Sequence, residues 1–240
     1  LNCILFRKDP PVNEKYIHMT HMLDYLEQDG VLIINSPQSI RDFNEKLLGN
    51  NLTNHSVPTL VSSNQDIIMS FINKYKQVVV KPLNLMGGQD IIKLSYRDKS
   101  LSRKITNITQ DAEKFIMVQK YLNQIKNGDT RILIINGIVH EDVLVRYPPK
   151  NDFRANLSYG GKFEVKKIKY KHLSHLKDIG VFLKNNRIYF AGVDMIGDYI
   201  TEINITSPTG IQQIETKDKY LSSKISKEFE KIVEQYYDDK

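Results

Sequence analysis

The sequence predicts an α+β protein in which antiparallel hairpins alternate with helices. Three observations carry that prediction. Asn136-Gly137 joins the apolar runs "TRILII" and "IVHEDVLVRY", a strong hairpin signal. The Gly-containing loop "LNLMGGQD" returns the strand "QVVVKP" to the strand "IIKLSY". A tight turn around Gly197 and Asp198 joins the apolar stretches 189–196 and 200–205. Hairpins of this kind are not the alternation of strand and crossover helix that builds a doubly wound parallel sheet.

The elements follow in order. "NCILFR" reads as a strand. Pro10 and Pro11 open a helix with Ile17, Met22, Leu23 and Leu26 on one face, stopped by Gly30. "VLIIN" is a short buried strand, and residues 36–48 read as a helix with Pro37 near its first position. Residues 64–75 form another helix. After the "QVVVKP"/"IIKLSY" pair come the strand "FIMVQKYL" and the Asn-Gly hairpin. Residues 147–163 hold Pro, Asn and Gly with few apolar side chains and read as a long loop, the kind that is usually functional or disordered. Helices are expected at 173–185 and 219–237. Domain boundaries fall near Phe43 and Asn123, dividing the chain into 1–42, 43–122 and 123–240.

The bulk properties fit an ordinary globular protein. Of the 240 residues, 40% are apolar and 26% charged. One cysteine, Cys3, excludes a disulfide framework and points to a reducing, cytoplasmic compartment. No apolar run is long enough to span a bilayer, so no membrane partner is expected. The formal net charge is +6, but the lysines are spread along the chain and no aromatic residues interleave a basic stretch. A solvated surface explains that charge better than nucleic-acid binding, which is not expected. The opening "LNCILFRKDPP" lacks an initiator Met and the features of a signal peptide, and the chain is expected to begin inside a domain.

Two features carry chemistry. In "GVDMIGDYITEINITSPTG", polar residues interrupt an apolar hairpin. A three-residue loop at 197–199 would set Val193 against Ile203 and Asp194 against Glu202, so that apolar meets apolar and acid meets acid. Asn204 would then share the face of Asp194 and Glu202. Two carboxylates and an amide oxygen suit a hard cation such as Mg²⁺. The same spacing suits a solvated face or carboxylates paired with Lys and Arg. The second feature is Lys81, which closes an all-valine strand just before Gly87 and Gly88, where backbone N–H groups could meet an anion. That loop is neither a Walker A nor a Gly-x-Gly-x-x-Gly motif, and a plain hairpin turn is the other reading. His18/His21 and His172/His175 read as helix-surface pairs, Ser207 lacks a nucleophile-elbow context, and Cys3 reads as buried.

"FRKDPP", "NSPQSIRDFNEKL", "VVVKPLNLMGGQDI" and "GVDMIGDYITEINITSPTGI" follow one another as in the prokaryotic glutathione synthetases, and the resemblance covers nearly the whole chain. It implies the ATP-grasp fold, with two antiparallel-sheet lobes holding nucleotide between them, plus the remnant of an N-terminal α/β domain. It implies that Lys46, Lys81, Met86, Gly87, Gly88, Gln119, Tyr121 and Leu122 bind ATP. Asp194, Glu202 and Asn204 would hold two Mg²⁺ ions, or Mn²⁺. Arg131 and Arg146 would act at the reacting carboxylate and phosphoryl group. Arg146, with Arg154 and Asn156 on a lid at 147–163 and Ser207 beyond the hairpin, would bind substrate.

The implied activity is ATP-dependent ligation of γ-glutamylcysteine with glycine through an acyl phosphate, in a possible homo-oligomer. The chain departs from the family's Asp-Gly-Met-Gly-Gly loop, having Asn84-Leu85-Met86-Gly87-Gly88, one glycine fewer. Its lid reads "YGGKFEVKK", and the family's upstream N-terminal region is not in this sequence. Another carboxylate–amine ligase, or a nucleotide-binding fragment without turnover, is the alternative reading.

Overall fold

A computed structural model describes residues 1–238. At the N-terminus, β1 (Cys3–Leu5) and β2 (Leu32–Ile34) pair in parallel, connected by α1 (Glu14–Gln28). The helix opens at Glu14, later than the two prolines suggest, because the Asn13 side chain accepts a hydrogen bond from the Tyr16 N–H and caps it. Its buried stripe also differs from expectation. Tyr16, Met19 and Leu23 pack on Phe6, Ile33 and Ile40, whereas Met22 stays 66% exposed and Leu26 37% exposed. The helix at 36–48 is shorter too. α2 (Pro37–Asp42) stops where Phe43 turns extended, and α3 (Leu48–Leu52) starts separately.

The middle of the chain builds a four-stranded antiparallel sheet from β3 (Thr59–Ser62), β4 (Gln77–Lys81), β5 (Ile92–Ser95) and β6 (Ile116–Lys120), in the order β3-β6-β4-β5. Two helices cover one face. α4 (Gln65–Tyr75) is capped by Asn64, and α5 (Leu101–Thr109) lies beside it. Ile68, Ile72, Leu101 and Ile105 seal the sheet from that side against Val78, Val80 and Val118. The opposite face is left for the site.

The larger sheet takes the order β10-β9-β7-β11-β12. It is formed by β7 (Asp129–Ile135), β8 (Ile138–Val139), β9 (Asp142–Tyr147), β10 (Lys162–Lys167), β11 (Phe190–Ile196) and β12 (Tyr199–Asn204), with β8 beside β7. α6 (Leu173–Asn185) packs on one side, while α7 (Ile211–Ile214) and α8 (Leu221–Asp238) pack on the other. The fold is therefore α+β, as the hairpins predict. Among the described residues no helix is long and apolar enough to cross a membrane.

The β11–β12 hairpin pairs Val193 with Ile203 and Asp194 with Glu202, the pairing that matched faces require. It reaches that register by another route. Ile196 pairs with Tyr199, so only Gly197 and Asp198 form the turn, and Thr201 is left over as a bulge opposite the Asp194/Met195 step. The Thr201 hydroxyl donates to the Asp194 carbonyl at 3.2 Å and fixes the irregularity. A two-residue turn plus a bulge gives the same facing residues as a three-residue loop.

Candidate active site

A cleft with about 1170 Å³ of free volume, partly open to solvent, lies between the two sheets. Every residue the sequence singled out for nucleotide, substrate or metal lines it. The small sheet supplies one wall. Lys81 ends β4 with its ammonium buried and donates to the Gln119 amide oxygen at 3.0 Å. Gln119 in turn donates to Thr59 at 3.2 Å. Burial pushes the Lys81 pKa down, with Glu202 pulling it up and Lys46 adding to the depression. Tyr121 and Leu122 follow on the same strand end, and the Lys93 ammonium covers the Tyr121 ring at 3.5 Å from its centroid.

The Gly loop closes the top of this wall. The Lys46 ammonium donates to the Leu85 carbonyl and lies 3.6 Å from Glu202 Oε1. Gly87 and Gly88 both sit at positive φ, at 66° and 83°. A Cβ on Gly88 would come within 2.7 Å of Asn156 Oδ1, so the long loop is seated directly against it. Arg154 stacks on Tyr159 at 3.6 Å, is held bidentately by Asp152, and reaches the Gly88 carbonyl at 3.4 Å.

The large sheet supplies the other wall. Arg131 on β7 faces Asp194 on β11 and clamps its carboxylate with two bonds of 2.7 Å. Arg146 on β9 adds a contact of 3.0 Å to the same carboxylate and one of 2.6 Å to Asp129. Burial alone would raise the Asp194 pKa, but the two guanidinium groups outweigh it and hold the carboxylate far below its usual range. Asp129 goes the other way, pushed up to about 6, because burial and the charge of Asp194 outweigh Arg146. Its Oδ1 is buried without a hydrogen bond.

Asp194 and Glu202 face each other as expected, with Asn204 next on that face. Asn204 donates from Nδ2 to the Gly192 carbonyl at 3.1 Å and to Asp194 at 3.3 Å, which turns its amide oxygen elsewhere. The Glu202 carboxylate has one ion pair among the described residues, to Lys46 at 3.6 Å. An oxygen from each of Glu202 and Asn204, two residues apart on one strand, is thus available, and Asp194 adds fixed negative charge beside them. That donor set fits a hard divalent cation that completes its shell with phosphate and water. The arginine clamp on Asp194 is the part the sequence did not reveal.

The loop after β12 is tied down from a distance. Glu45 accepts from the Ile205 and Thr206 N–H groups at 2.6 and 2.8 Å and from the Thr206 hydroxyl at 2.9 Å. Ser207 donates to Asp9 at 2.5 Å, and Arg7 donates to the Pro208 carbonyl at 2.7 Å, so the "RKDPP" segment docks on "TSPT". Sequence reading passed over Glu45, Asp129 and Asp9. Asp129 had a signal, since it lies two residues before Arg131 on one strand and so on the same face. The histidines also differ from expectation. His18 and His21 are exposed on α1, but His172 is buried and His175 stacks on His55 with ring centroids 4.4 Å apart. Cys3 is half-buried.

Comparison with known proteins agrees with this geometry. Residues 45–219 match the family model for the prokaryotic glutathione synthetase ATP-grasp domain, and residues 1–41 match that for its N-terminal domain. The chain is 38% identical over 217 residues to the glutathione synthetase of Coxiella burnetii, spanning 90% of this chain and 68% of that one. It is 39% identical over 236 residues to that of Prochlorococcus marinus, spanning 97% and 75%.

The chain belongs to the prokaryotic glutathione synthetase family.

Among solved structures it resembles a D-cycloserine synthetase at a TM-score of 0.71 and 12% identity, covering 95% of this chain and 84% of that one. A D-alanine–D-alanine ligase from Bacillus anthracis aligns at 0.62 and 14%, covering 88% and 76%. At these identities the likeness establishes the ATP-grasp fold. Membership in the family makes ATP a co-substrate of an ATP-dependent ligase.

Proposed function

We propose that this protein is a glutathione synthase, joining the cysteinyl carboxylate of γ-glutamylcysteine to the amine of glycine with ATP. The observation that carries this reading is the pairing of walls across the cleft. Lys81, buried against the neutral Gln119 amide, stands on one side, and the Asp194–Glu202–Asn204 face, with Lys46 beside Glu202, stands on the other. The division of the chain at 1–42, 43–122 and 123–240 belongs to the same reading.

The carboxylate attacks the γ-phosphorus of ATP and ADP leaves, giving an acyl phosphate. The glycine amine then adds to the acyl carbon and phosphate departs. Lys46, Lys81 and the Gly87–Gly88 loop bind the triphosphate, with Met86, Gln119, Tyr121 and Leu122 around the rest of the nucleotide. Arg146 and Arg131 orient the reacting carboxylate and stabilise the charge that builds on the transferring group. Arg154, Asn156 and Ser207 contact the peptide substrate, and the 147–163 loop that carries Arg154 and Asn156 excludes water from the acyl phosphate. Glu202 and Asn204 would hold the Mg²⁺ or Mn²⁺ ions, two as the family resemblance implies, with Asp194 adding negative charge beside them. When bound, those ions neutralise the phosphate oxygens that face the attacking carboxylate.

The cleft is lined by the cations Lys46, Lys81, Lys120, Arg131, Arg146 and Arg154 and by the acids Glu45, Asp129, Asp194 and Glu202, an excess of positive charge that favours a polyanion such as a triphosphate. The Asn84-Leu85 departure in the Gly loop favours one second reading, a carboxylate–amine ligase with a different acceptor. Measuring ADP release with γ-glutamylcysteine and a panel of amines separates the two. Release that requires glycine and disappears in Glu202→Ala supports the synthase. Release with another amine alone supports the second reading, and release unaffected by Glu202→Ala contradicts both.

A further inference from the structure

Away from the cleft, β8 and β9 are separated by the short step His140–Glu141, and Asp218 lies in the turn between α7 and α8. His140 and Asp142, two residues apart, present their side chains toward Asp218. One ligand atom from each of the three lies within 4.8 Å of the others, and no other group of His, Cys, Asp and Glu among the described residues meets that spacing. The cavity beside them shares no lining residue with the nucleotide cleft.

The His140 ring nitrogen lacks a hydrogen bond at this spot. His140 Nε2 is buried and stops 3.8 Å short of Asp218 Oδ2. Asp142 is 8% exposed, and its carboxylate meets only ammonium groups: Lys167 donates to Oδ2 and Lys217 lies 3.4 Å from Oδ1. Buried polar atoms left without a hydrogen bond are costly unless something else binds them. The surrounding cations are loose ones. Lys167 sits 3.1 Å from Asp142, Lys217 sits 3.4 Å from it, and Lys224 sits 2.7 Å from Asp218. All three ammonium-bearing side chains are about half exposed or more, at 60, 49 and 59%. Such pairs hold weakly, and their long side chains can swing into solvent.

We propose that His140, Asp142 and Asp218 form a Zn²⁺ site that ties the β8–β9 corner to the start of α8. One imidazole nitrogen and two carboxylate oxygens are the ligand types zinc takes, with water in the fourth position. Tetrahedral Zn²⁺ with bonds of about 2.0–2.2 Å sets neighbouring ligand atoms about 3.4 Å apart, so the 3.8 Å gap closes by a few tenths of an ångström. Two charges on the metal take the place of two of the three lysine contacts on these carboxylates. The imidazole nitrogen separates this site from the all-oxygen set in the cleft.

The test is calorimetric titration of the full chain with Zn²⁺ in millimolar Mg²⁺ and no ATP, on wild type, His140→Gln, Asp218→Asn and Glu202→Ala. One Zn²⁺ per chain is expected in wild type and Glu202→Ala, with affinity falling at least tenfold in His140→Gln and Asp218→Asn. Asp218→Asn keeps the side-chain volume and decides the matter if His140→Gln fails to fold. Co²⁺ in place of Zn²⁺ should give visible absorption bands that vanish in the same two variants. No binding in wild type, binding indifferent to both substitutions, or binding lost only in Glu202→Ala would each overturn the site.

Discussion

On the small-sheet side of the cleft, Lys81 is buried against one neutral partner, the Gln119 amide oxygen. On the large-sheet side, Asp194 is buried against two guanidinium groups, one of them bidentate. Both are charges taken out of water, yet the first is nearly bare and the second is fully compensated. Burial depresses the pKa of Lys81, whereas Asp194 is held more acidic than an exposed carboxylate. A bare cation lowers stability and attracts an anion, while a compensated carboxylate stiffens the strands it bridges. In the proposed function, the first wall would take phosphate and the second would be the fixed frame for substrate and metal.

Asp194→Ala breaks the compensated wall and carries the largest expected effect on folding. It leaves the buried Arg131 guanidinium without its anion and Arg146 with Asp129 alone, and we expect a loss of about 3–5 kcal/mol in urea unfolding. Lys81→Met probes the bare wall. Activity should fall about 10²–10³-fold, with stability unchanged or higher, because an unpaired buried ammonium is removed. ADP-release kinetics and thermal unfolding of the same preparation check both halves. If Lys81→Met destabilised the fold as Asp194→Ala does, the contrast between the walls would be wrong.

A pH titration sharpens the contrast within the compensated wall itself. The folded pKa of Asp129 is raised from 3.8 to about 6, so the folded state binds its proton more tightly than the unfolded chain does. Its contribution therefore favours folding below pH 4 and is lost as pH rises through 6. Asp194 has the opposite sign. Its stabilisation is present above its unfolded value and is lost only as pH falls toward its depressed folded value. Stability of Asp129→Asn relative to wild type should increase between pH 4 and 6 and then level off. A flat difference across that range would contradict the assignment.

The smallest effect belongs to the Gly loop. Gly88→Ala meets Asn156 Oδ1 at 2.7 Å in a left-handed conformation, and we expect a cost of about 1–2 kcal/mol with a raised KM for ATP. Gly87→Ala has open space around its Cβ and should cost less. Equal effects from the two would show that Asn156 does not rest on the loop in solution.

Much of this molecule is legible in its sequence, and the exceptions have physical reasons. The Asp194–Glu202 pairing follows from matching buried faces, but a three-residue loop and a bulge at Thr201 satisfy that match equally well, so the turn does not follow. β10 escapes notice because "KFEVKK" lies at a sheet edge with nearly every side chain exposed, leaving no buried alternation to read. α5 buries only Leu101, Ile105 and Thr109, too sparse a stripe in "LSRKITNIT" to stand out. The candidate site residues were found through motifs that are contiguous in sequence. Glu45, which ties down a loop 160 residues away, and Asp218, 76 positions after Asp142, come into place only through tertiary packing.

The most direct measurement is calorimetric titration of ATP into wild type and Glu202→Ala, each with and without Mg²⁺. With Lys81 on one wall and the hairpin ligands on the other, Mg²⁺ should tighten ATP binding at least tenfold in wild type, and Glu202→Ala should erase that gain while retaining weak, metal-independent binding. Equal tightening by Mg²⁺ in both proteins would show that the hairpin does not hold the cation, and the assignment of the two walls would fail.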